Sequence, residues 1–285
     1  MAIKIITDST SYISADLKEK YDISIVSLSV IFEDEEFKEI NIENETFYDK
    51  LGKNVSIPTS SQPSLAEMYN ILEKQVRDDN DVVGIFMSSN MSGTYSNANI
   101  AKGMILEKYP NAVIKIIDSR SNSMQLGFAV LTAARAAHYG KTIDEVINIA
   151  QDNIKRSKFL FIPNTLEYLK KGGRIGGASA LLGTIFQIKP ILTVVNGKTE
   201  LFDKVRTKNR AIQTMVDKFI EDITKHGLGE VIIHHINDVE GALAFAKIVE
   251  KHIGKSVDIV PIGSVIGTHV GPGALGIVYY TKSNL

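Results

Sequence analysis

Short apolar runs alternate with helix-period segments through the first half of the chain. Ile3 to Thr7 is an apolar run that ends on Asp8-Ser9-Thr10 and predicts a strand. Ile23 to Phe32, ISIVSLSVIF, alternates apolar and polar positions and predicts one longer strand exposed on one face. Ser64 followed by Glu67, with Pro63 just before, has the spacing of a capping box and predicts a helix start. Leu65, Met68, Tyr69, Leu72 and Val76 then share one helical face. Val82 to Met87 and Ala112 to Ile117 are further strand candidates. The first runs into Ser88-Ser89 and Ser92-Gly93-Thr94, the second into Asp118-Ser119. A long helix carrying Leu126, Val130 and Leu131 comes next. Strands alternating with helices predict βαβ units around a parallel sheet.

The rhythm changes near residue 158. Strand candidates run over Phe159–Ile162, Ile191–Asn196, Thr199–Val205, Glu230–His235, Ser256–Val260 and Gly276–Thr281, with a helix over Val239–Ile253. Asn196-Gly197 between two of them is a strong hairpin signal, and hairpins pair antiparallel. The expected fold is α/β: an N-terminal parallel-sheet domain, residues 1–157, packed on a C-terminal α+β domain, residues 158–285, with a mixed or antiparallel sheet. No flexible linker marks the boundary, so the two are expected to pack closely.

Charge and composition narrow the function. Asp and Glu number 33 against 32 Lys and Arg, a net charge of -1. That excludes a general nucleic-acid binder, which needs excess basic charge, and a polybasic membrane-surface protein. With no cysteine, disulfides, thiolate nucleophiles and Cys-ligated zinc are excluded. The apolar start is too short for a signal sequence and no run reaches a membrane span, so a cytoplasmic protein is expected. There is no Walker lysine motif, no H-E-x-x-H and no G-x-S-x-G, and no metal is expected. Gly271-Pro272-Gly273-Ala274-Leu275-Gly276 fits G-x-G-x-x-G in letters, but a strand follows it where a dinucleotide site needs a helix.

The remaining polar clusters suit an anion. Asp8-Ser9-Thr10, Thr59-Ser60-Ser61, the Ser88–Thr94 loop and Asp118-Ser119 all follow apolar runs. At the carboxyl edge of a parallel sheet they converge on one crevice, with helix N-termini beside them. That combination fits a carboxylate or phosphate. The competing reading is that each hydroxyl only caps its own helix. His138, His226 and His252 fall near helix ends, and the adjacent His234 and His235 point to opposite faces of a strand. His269 lies in the glycine-flanked stretch Gly267–Gly273, read as a loop where a ring can meet a ligand, although a structural histidine is the ordinary alternative. Lys170, Lys171, Arg174, Lys204, Arg206, Lys208 and Arg210 form a basic set that is either a solvated face, an anion site or a docking surface.

Taken in order, Asp8-Ser9-Thr10, Ser60-Ser61-Gln62-Pro63-Ser64, Ser92-Gly93-Thr94-Tyr95, Asp118-Ser119, Gly172-Gly173-Arg174-Ile175 and Thr268-His269-Val270-Gly271-Pro272-Gly273 resemble the DegV family across essentially the whole chain. These are fatty-acid-binding proteins that serve bacterial fatty acid kinase. The resemblance implies a long-chain fatty acid held in a buried tunnel between two α/β domains, no cofactor, and no catalytic residue on this chain. It implies a separate ATP-dependent kinase subunit that turns the presented carboxylate into an acyl-phosphate for phospholipid synthesis. Transient membrane contact for lipid exchange is compatible with it. Ser60, Ser92, His269 and Arg174 match the carboxylate-binding positions; Ser60 stands where the family usually has Thr. Ser61, Gly93, Thr94, Asp118, Ser119 and Thr268 fall in the supporting loops, and Arg174 with Arg206 in partner docking. Gln125 replaces the first of two family glycines, leaving Gly127, near what is read as the tail pocket; chain-length preference therefore stays open. A Ser/His hydrolase or acyltransferase built on Ser60, Ser61 or Ser92 with His269, oriented by Asp8 or Asp118, is the alternative. A lipid-sensing regulator without a kinase is the third.

Overall fold

The computed structural model describes residues 2–53, 56–182 and 188–285. The strands of the first half are β1 (Ile3–Asp8), β2 (Ile23–Val26), β3 (Ser29–Ile31), β4 (Glu36–Lys38), β5 (Thr59–Ser61), β6 (Asp81–Phe86) and β7 (Ile114–Asp118). Those of the second half are β8 (Ser157–Ile162), β9 (Lys189–Val195), β10 (Lys198–Val205), β11 (Leu228–His235), β12 (Asp258–Pro261) and β13 (Leu275–Thr281). The helices are α1 (Ala15–Lys20), α2 (Asn44–Lys53), α3 (Leu65–Arg77), α4 (Thr94–Lys108), α5 (Ser123–His138) and α6 (Ile143–Arg156). After them come α7 (Glu167–Lys171), α8 (Lys208–His226), α9 (Val239–Ile253) and α10 (Ser264–Val270).

Two large sheets and one small one result. A parallel four-stranded sheet runs β2-β1-β6-β7. A six-stranded sheet runs β10-β9-β8-β13-β11-β12 and is antiparallel except for the β11–β12 pair. This is the expected α/β arrangement, parallel sheet first and mixed sheet second. The alternation of strand side chains sorts the cores. On β8, Leu160 and Ile162 pack under α8 and α9 with Phe219 and Phe245, while Phe159 and Phe161 face the middle of the molecule. Helix α5 is apolar almost all round and fills that middle, touching β1 and β6 on one side and β8 and β13 on the other. Among the described residues, no helix is long and apolar enough to cross a membrane.

The run from Ile23 to Phe32 is not one strand. It breaks at Ser27-Leu28, where Leu28 N donates to Ser9 Oγ (3.1 Å) and Ser27 Oγ donates to the Leu28 carbonyl (2.8 Å). Those bonds take Ser27 and Leu28 out of the ladder. β2 stays in the parallel sheet, and β3 joins a third, antiparallel sheet of order β4-β3-β5. Ser60 and Ser61 therefore sit on a strand of this small sheet, not in a loop at the parallel sheet's edge.

Asn196-Gly197 does form the β9–β10 hairpin, with φ of 50° and 81° at the two turn residues. Its tip docks on the first half: Ser88 Oγ donates to the Gly197 carbonyl (2.8 Å), and Asn90 Nδ2 donates to the Asn196 carbonyl (3.1 Å). A Cβ on Gly197 would stand 2.4 Å from Ser88 Oγ, in a left-handed backbone. Gly197→Ala is expected to lower stability by about 1–3 kcal/mol in a urea titration.

His269 is also placed differently from the sequence expectation. It occupies the last turn of α10 and not a loop. Gly267 serves close packing there: an added Cβ would meet Tyr48 Oη at 2.3 Å.

Candidate functional site

A cavity of about 310 Å³ lies between the halves, at the size of ordinary small-molecule sites. Its walls are largely apolar: Met87 and Met91 from the first half meet Phe159, Phe161, Val194 and Leu275 from the second. Ile262, Val265 and Ile266, at and before α10, close another side. These walls are buried, and the buried polar side chains His234, His235 and Thr199 share them; a second polar group lies nearer solvent, with Ser60, Ser92 and His269 half-buried and Arg174 exposed.

The polar corner is assembled from four segments. Ser60 is presented by β5, and its Oγ lies 2.7 Å from His269 Nε2 on α10. Burial, reinforced by the nearby Arg174 charge, lowers the His269 pKa to about 4, so the ring is neutral at neutral pH. Its buried Nδ1 has no hydrogen-bond partner among the described residues. Arg174 follows α7 and crosses to the first half. Nε and Nη2 both donate to the Met91 carbonyl, at 3.1 and 2.9 Å, and Nη1 donates to the Gly172 carbonyl at 2.6 Å. Ser92, next to Met91, pairs its hydroxyl with Thr94 Oγ1 at 2.9 Å just where α4 begins. Gln62 lies over Gly93, where an added Cβ would sit 1.9 Å from Oε1.

Of the residues singled out from the sequence, Ser60, Ser61, Ser92, Gly93, Arg174 and His269 line this cavity. Thr94 reaches it only through Ser92. Asp118, Ser119 and Thr268 do not line it, for a shared reason: each hydroxyl or carboxylate is spent on its own surroundings. Asp118 accepts from Ser89 Oγ (2.6 Å) and Arg120 N (2.8 Å). Ser119 Oγ donates to the Ser121 carbonyl (3.2 Å), and Thr268 Oγ1 to the Ser264 carbonyl (2.8 Å). Asp8 is likewise turned inward, accepting from Thr10 Oγ1 (2.6 Å) and Met87 N (2.7 Å). The hydroxyl loops thus do not all converge on one crevice. Gln125 and Gly127 are not cavity residues either: Gln125 Nε2 donates to the Ser157 carbonyl (3.1 Å), and Gly127 lies on the Ser11 backbone. Arg206 is exposed just beyond β10, away from the cavity lining.

His234 is a cavity residue that pattern reading missed. It is fully buried, with Nδ1 donating to the Val260 carbonyl (2.6 Å), Nε2 accepting from Met124 N (3.2 Å), and Ser123 Oγ at 2.9 Å from Nε2. Its neighbour His235 also borders the cavity, but its Nδ1 accepts from Asp238 N (3.3 Å), so the two rings share no partner. Among the described residues, no group of three or more His, Asp or Glu is placed to hold a metal ion. The arrangement offers hydroxyl, imidazole and guanidinium groups at the mouth of an apolar chamber, which suits an amphipathic anion.

Comparison with known proteins agrees on one family. The family model described as an uncharacterised protein, DegV family, matches residues 2–282. A DegV domain-containing protein of Clostridium acetobutylicum is 53% identical over 285 residues, covering 100% of both chains. The crystal structure of DegV from Bacillus subtilis, described as a fatty acid binding protein, is 33% identical with a TM-score of 0.86, covering 99% of this chain and 100% of that one. A stearic acid-binding protein from Eubacterium ventriosum is 26% identical with a TM-score of 0.89 over 98% of each chain. The chain belongs to the DegV family.

Proposed function

We propose that the cavity holds one long-chain fatty acid, its tail against Phe159, Phe161 and Leu275 and its carboxylate at Ser60, Ser92, His269 and Arg174. The observation that carries this reading is the single chamber that joins a half-exposed polar corner to buried apolar walls. Each buried methylene contributes about 0.8 kcal/mol, so the tail supplies most of the affinity. A carboxylate leaving water needs several donors. With its proton on Nε2, neutral His269 donates to Ser60 Oγ and leaves the Ser60 O–H free for the ligand. Binding of fatty acids by the B. subtilis and E. ventriosum relatives supports the choice of ligand.

The chain then acts as a carrier and not a catalyst. The head group sits at the exposed Arg174, where an ATP-dependent kinase subunit can reach it and transfer a phosphoryl group to a carboxylate oxygen. Arg174 and the exposed Arg206 are the proposed docking residues, with the two domains meeting at residues 157/158.

The Ser60–His269 pair is the one feature that favours a hydrolase. Three facts weigh against it. Among the described residues His269 Nδ1 lacks a carboxylate partner, Asp8 and Asp118 are engaged elsewhere, and burial weakens the ring as a base.

Mass spectrometry of the extracted, purified protein is expected to show one fatty acid per chain, and kinase subunit with ATP to convert it to acyl-phosphate. Apo protein that neither retains nor takes up palmitate sinks the proposal; ester turnover without a partner favours the hydrolase. The double variant Ser60→Ala with Ser92→Ala is expected to weaken palmitate binding about 100-fold with the fold intact. Unchanged affinity removes both serines from the site.

A further inference from the structure

Helix α10 is held at both ends by one small sheet. Ser60, on β5, meets its last turn through His269 Nε2 at 2.7 Å. Glu39 follows β4 directly and reaches the first turn, where its Oε1 accepts from Val265 N at 2.9 Å. Val265 and His269 are four residues apart, about one turn, so the two contacts hold successive turns of the helix, one through a backbone N–H and one through a side chain. β3 pairs with β4 through Ser29 and Lys38 and with β5 through Val30 and Ser60, which fixes the spacing of the two contacts.

Nothing local does this work for α10. The residue before it, Gly263, has no side chain to cap with, and the opening N–H groups of a helix lack intrahelical acceptors. Glu39 fills that gap from more than two hundred residues away, and it is itself held in place. Ser9 Oγ donates to its Oε2 at 2.5 Å and Tyr12 Oη to its Oε1 at 3.1 Å. Tyr48 Oη donates to the Ile262 carbonyl (3.1 Å), steadying the entry to the helix.

The geometry points to Glu39 as a positioning residue: it anchors the first turn of α10 to the sheet that carries Ser60, and so sets the His269 ring opposite the Ser60 hydroxyl. Its consequence for ligand affinity rests on the proposed fatty-acid reading; its effect on His269 does not.

The choice of a carboxylate for this position is informative. Burial raises the Glu39 pKa to about 7, against the hydrogen bonds from Ser9, Val265 and Tyr12, and Asp8 adds to the rise. Tyr12 and Tyr48 also face it, both pushed well above their ordinary range, and Lys18 lines the same surface cleft. Glu39 therefore changes charge around neutrality. Its ionised form is the stronger acceptor for Val265 N and grips the helix more tightly.

The test begins with ligand-free, full-length protein. NMR of isotope-labelled histidine follows the His269 ring in wild type, Glu39→Gln and Glu39→Ala, with His269→Asn to identify its signals. In wild type the ring signals are expected to shift as pH crosses neutrality, although the ring itself stays neutral. Glu39→Gln, close in shape, is expected to abolish that shift, and Glu39→Ala to move the signals at every pH. Palmitate affinity is expected to fall about tenfold in Glu39→Ala, and in Glu39→Gln to lose the rise across neutral pH that wild type shows. His269 signals in Glu39→Gln identical to wild type across the titration overturn the inference, even if Glu39→Ala does not fold. If no form binds palmitate while the His269 signals still answer to Glu39, the fatty-acid reading fails and the positioning role stands.

Discussion

Gly172→Ala is expected to abolish ligand retention while the protein stays folded. The Gly172 backbone lies against the Nδ1 edge of the His269 imidazole. A Cβ there would stand 2.1 Å from Nδ1 and 3.0 Å from Cε1. Its φ is -74°, so alanine is acceptable to the backbone itself and the conflict is purely with the ring. The ring has nowhere to retreat, because its opposite edge is 2.7 Å from Ser60 Oγ. It must swing and break that contact. The Gly172 carbonyl also receives Arg174 Nη1 at 2.6 Å, so any backbone adjustment displaces the guanidinium as well. Overpacking of this kind costs about 1–3 kcal/mol of stability. Two disturbed donors to a carboxylate cost about as much again each, so palmitate affinity should fall about 100-fold or more in calorimetric titration. Wild-type affinity in folded Gly172→Ala would show that His269 takes no part in binding.

Acid is expected to destabilise the protein by about 3 kcal/mol between pH 6.5 and 4, through its buried imidazoles. Burial lowers the His234 pKa from 6.5 to about 4, and His269 behaves alike. In that window the unfolded chain takes up a proton on each ring that the folded chain refuses. The stability carried by the neutral rings is complete above pH 6.5 and is lost as pH falls toward 4. Glu39 opposes them. Its folded pKa of about 7 exceeds the ordinary 4.5, so its contribution is full below pH 4.5 and is lost as pH rises through 7. Burial also lowers the pKa of His235, which adds to the rings, and raises that of Asp8, which adds to the carboxylate side; the two large imidazole shifts against Glu39 leave roughly one ring's effect, about 3 kcal/mol, which is the expected drop. Urea titrations across this range check it. His234→Gln should shallow the acid slope, whatever it does to baseline stability, since glutamine cannot take the proton. An acid slope equal to wild type in His234→Gln would mean that folding does not lower the His234 pKa.

Local rules carried much of the fold. The Ser64–Glu67 capping box, the Asn196-Gly197 turn and the limits of α9 each depend on residues adjacent in sequence, and all three are present. The split of the 23–32 run was not legible, because it is decided by Ser9 Oγ, which reaches Leu28 N from another segment. The hydroxyl loops show a different limit. Asp118-Ser119 and Ser92-Gly93-Thr94 both carry hydroxyls after a strand, yet the first satisfies its own surroundings while Ser92 and Gly93 of the second line a cavity. Composition does not reveal which way a hydroxyl points. Ser60, Ser92, Arg174 and His269 emerged as a set through their motifs, since no periodicity links four segments so far apart. Glu39 carried no signal at all. It stands in the acidic stretch Glu33–Glu39, and segments distant in sequence, around Ser9, Tyr12 and α10, close over it.

The three hydrogen bonds of Arg174 to backbone carbonyls have a kinetic and entropic consequence. A guanidinium carries five N–H groups, and three are engaged before any ligand arrives, leaving two in a fixed direction. A free arginine would lose about 0.5–1.5 kcal/mol of rotamer entropy on clamping a carboxylate. Here that loss is settled during folding. On the proposed fatty-acid reading, an incoming head group would meet a donor that is already aimed, and lysine in its place would keep the charge while losing the aim.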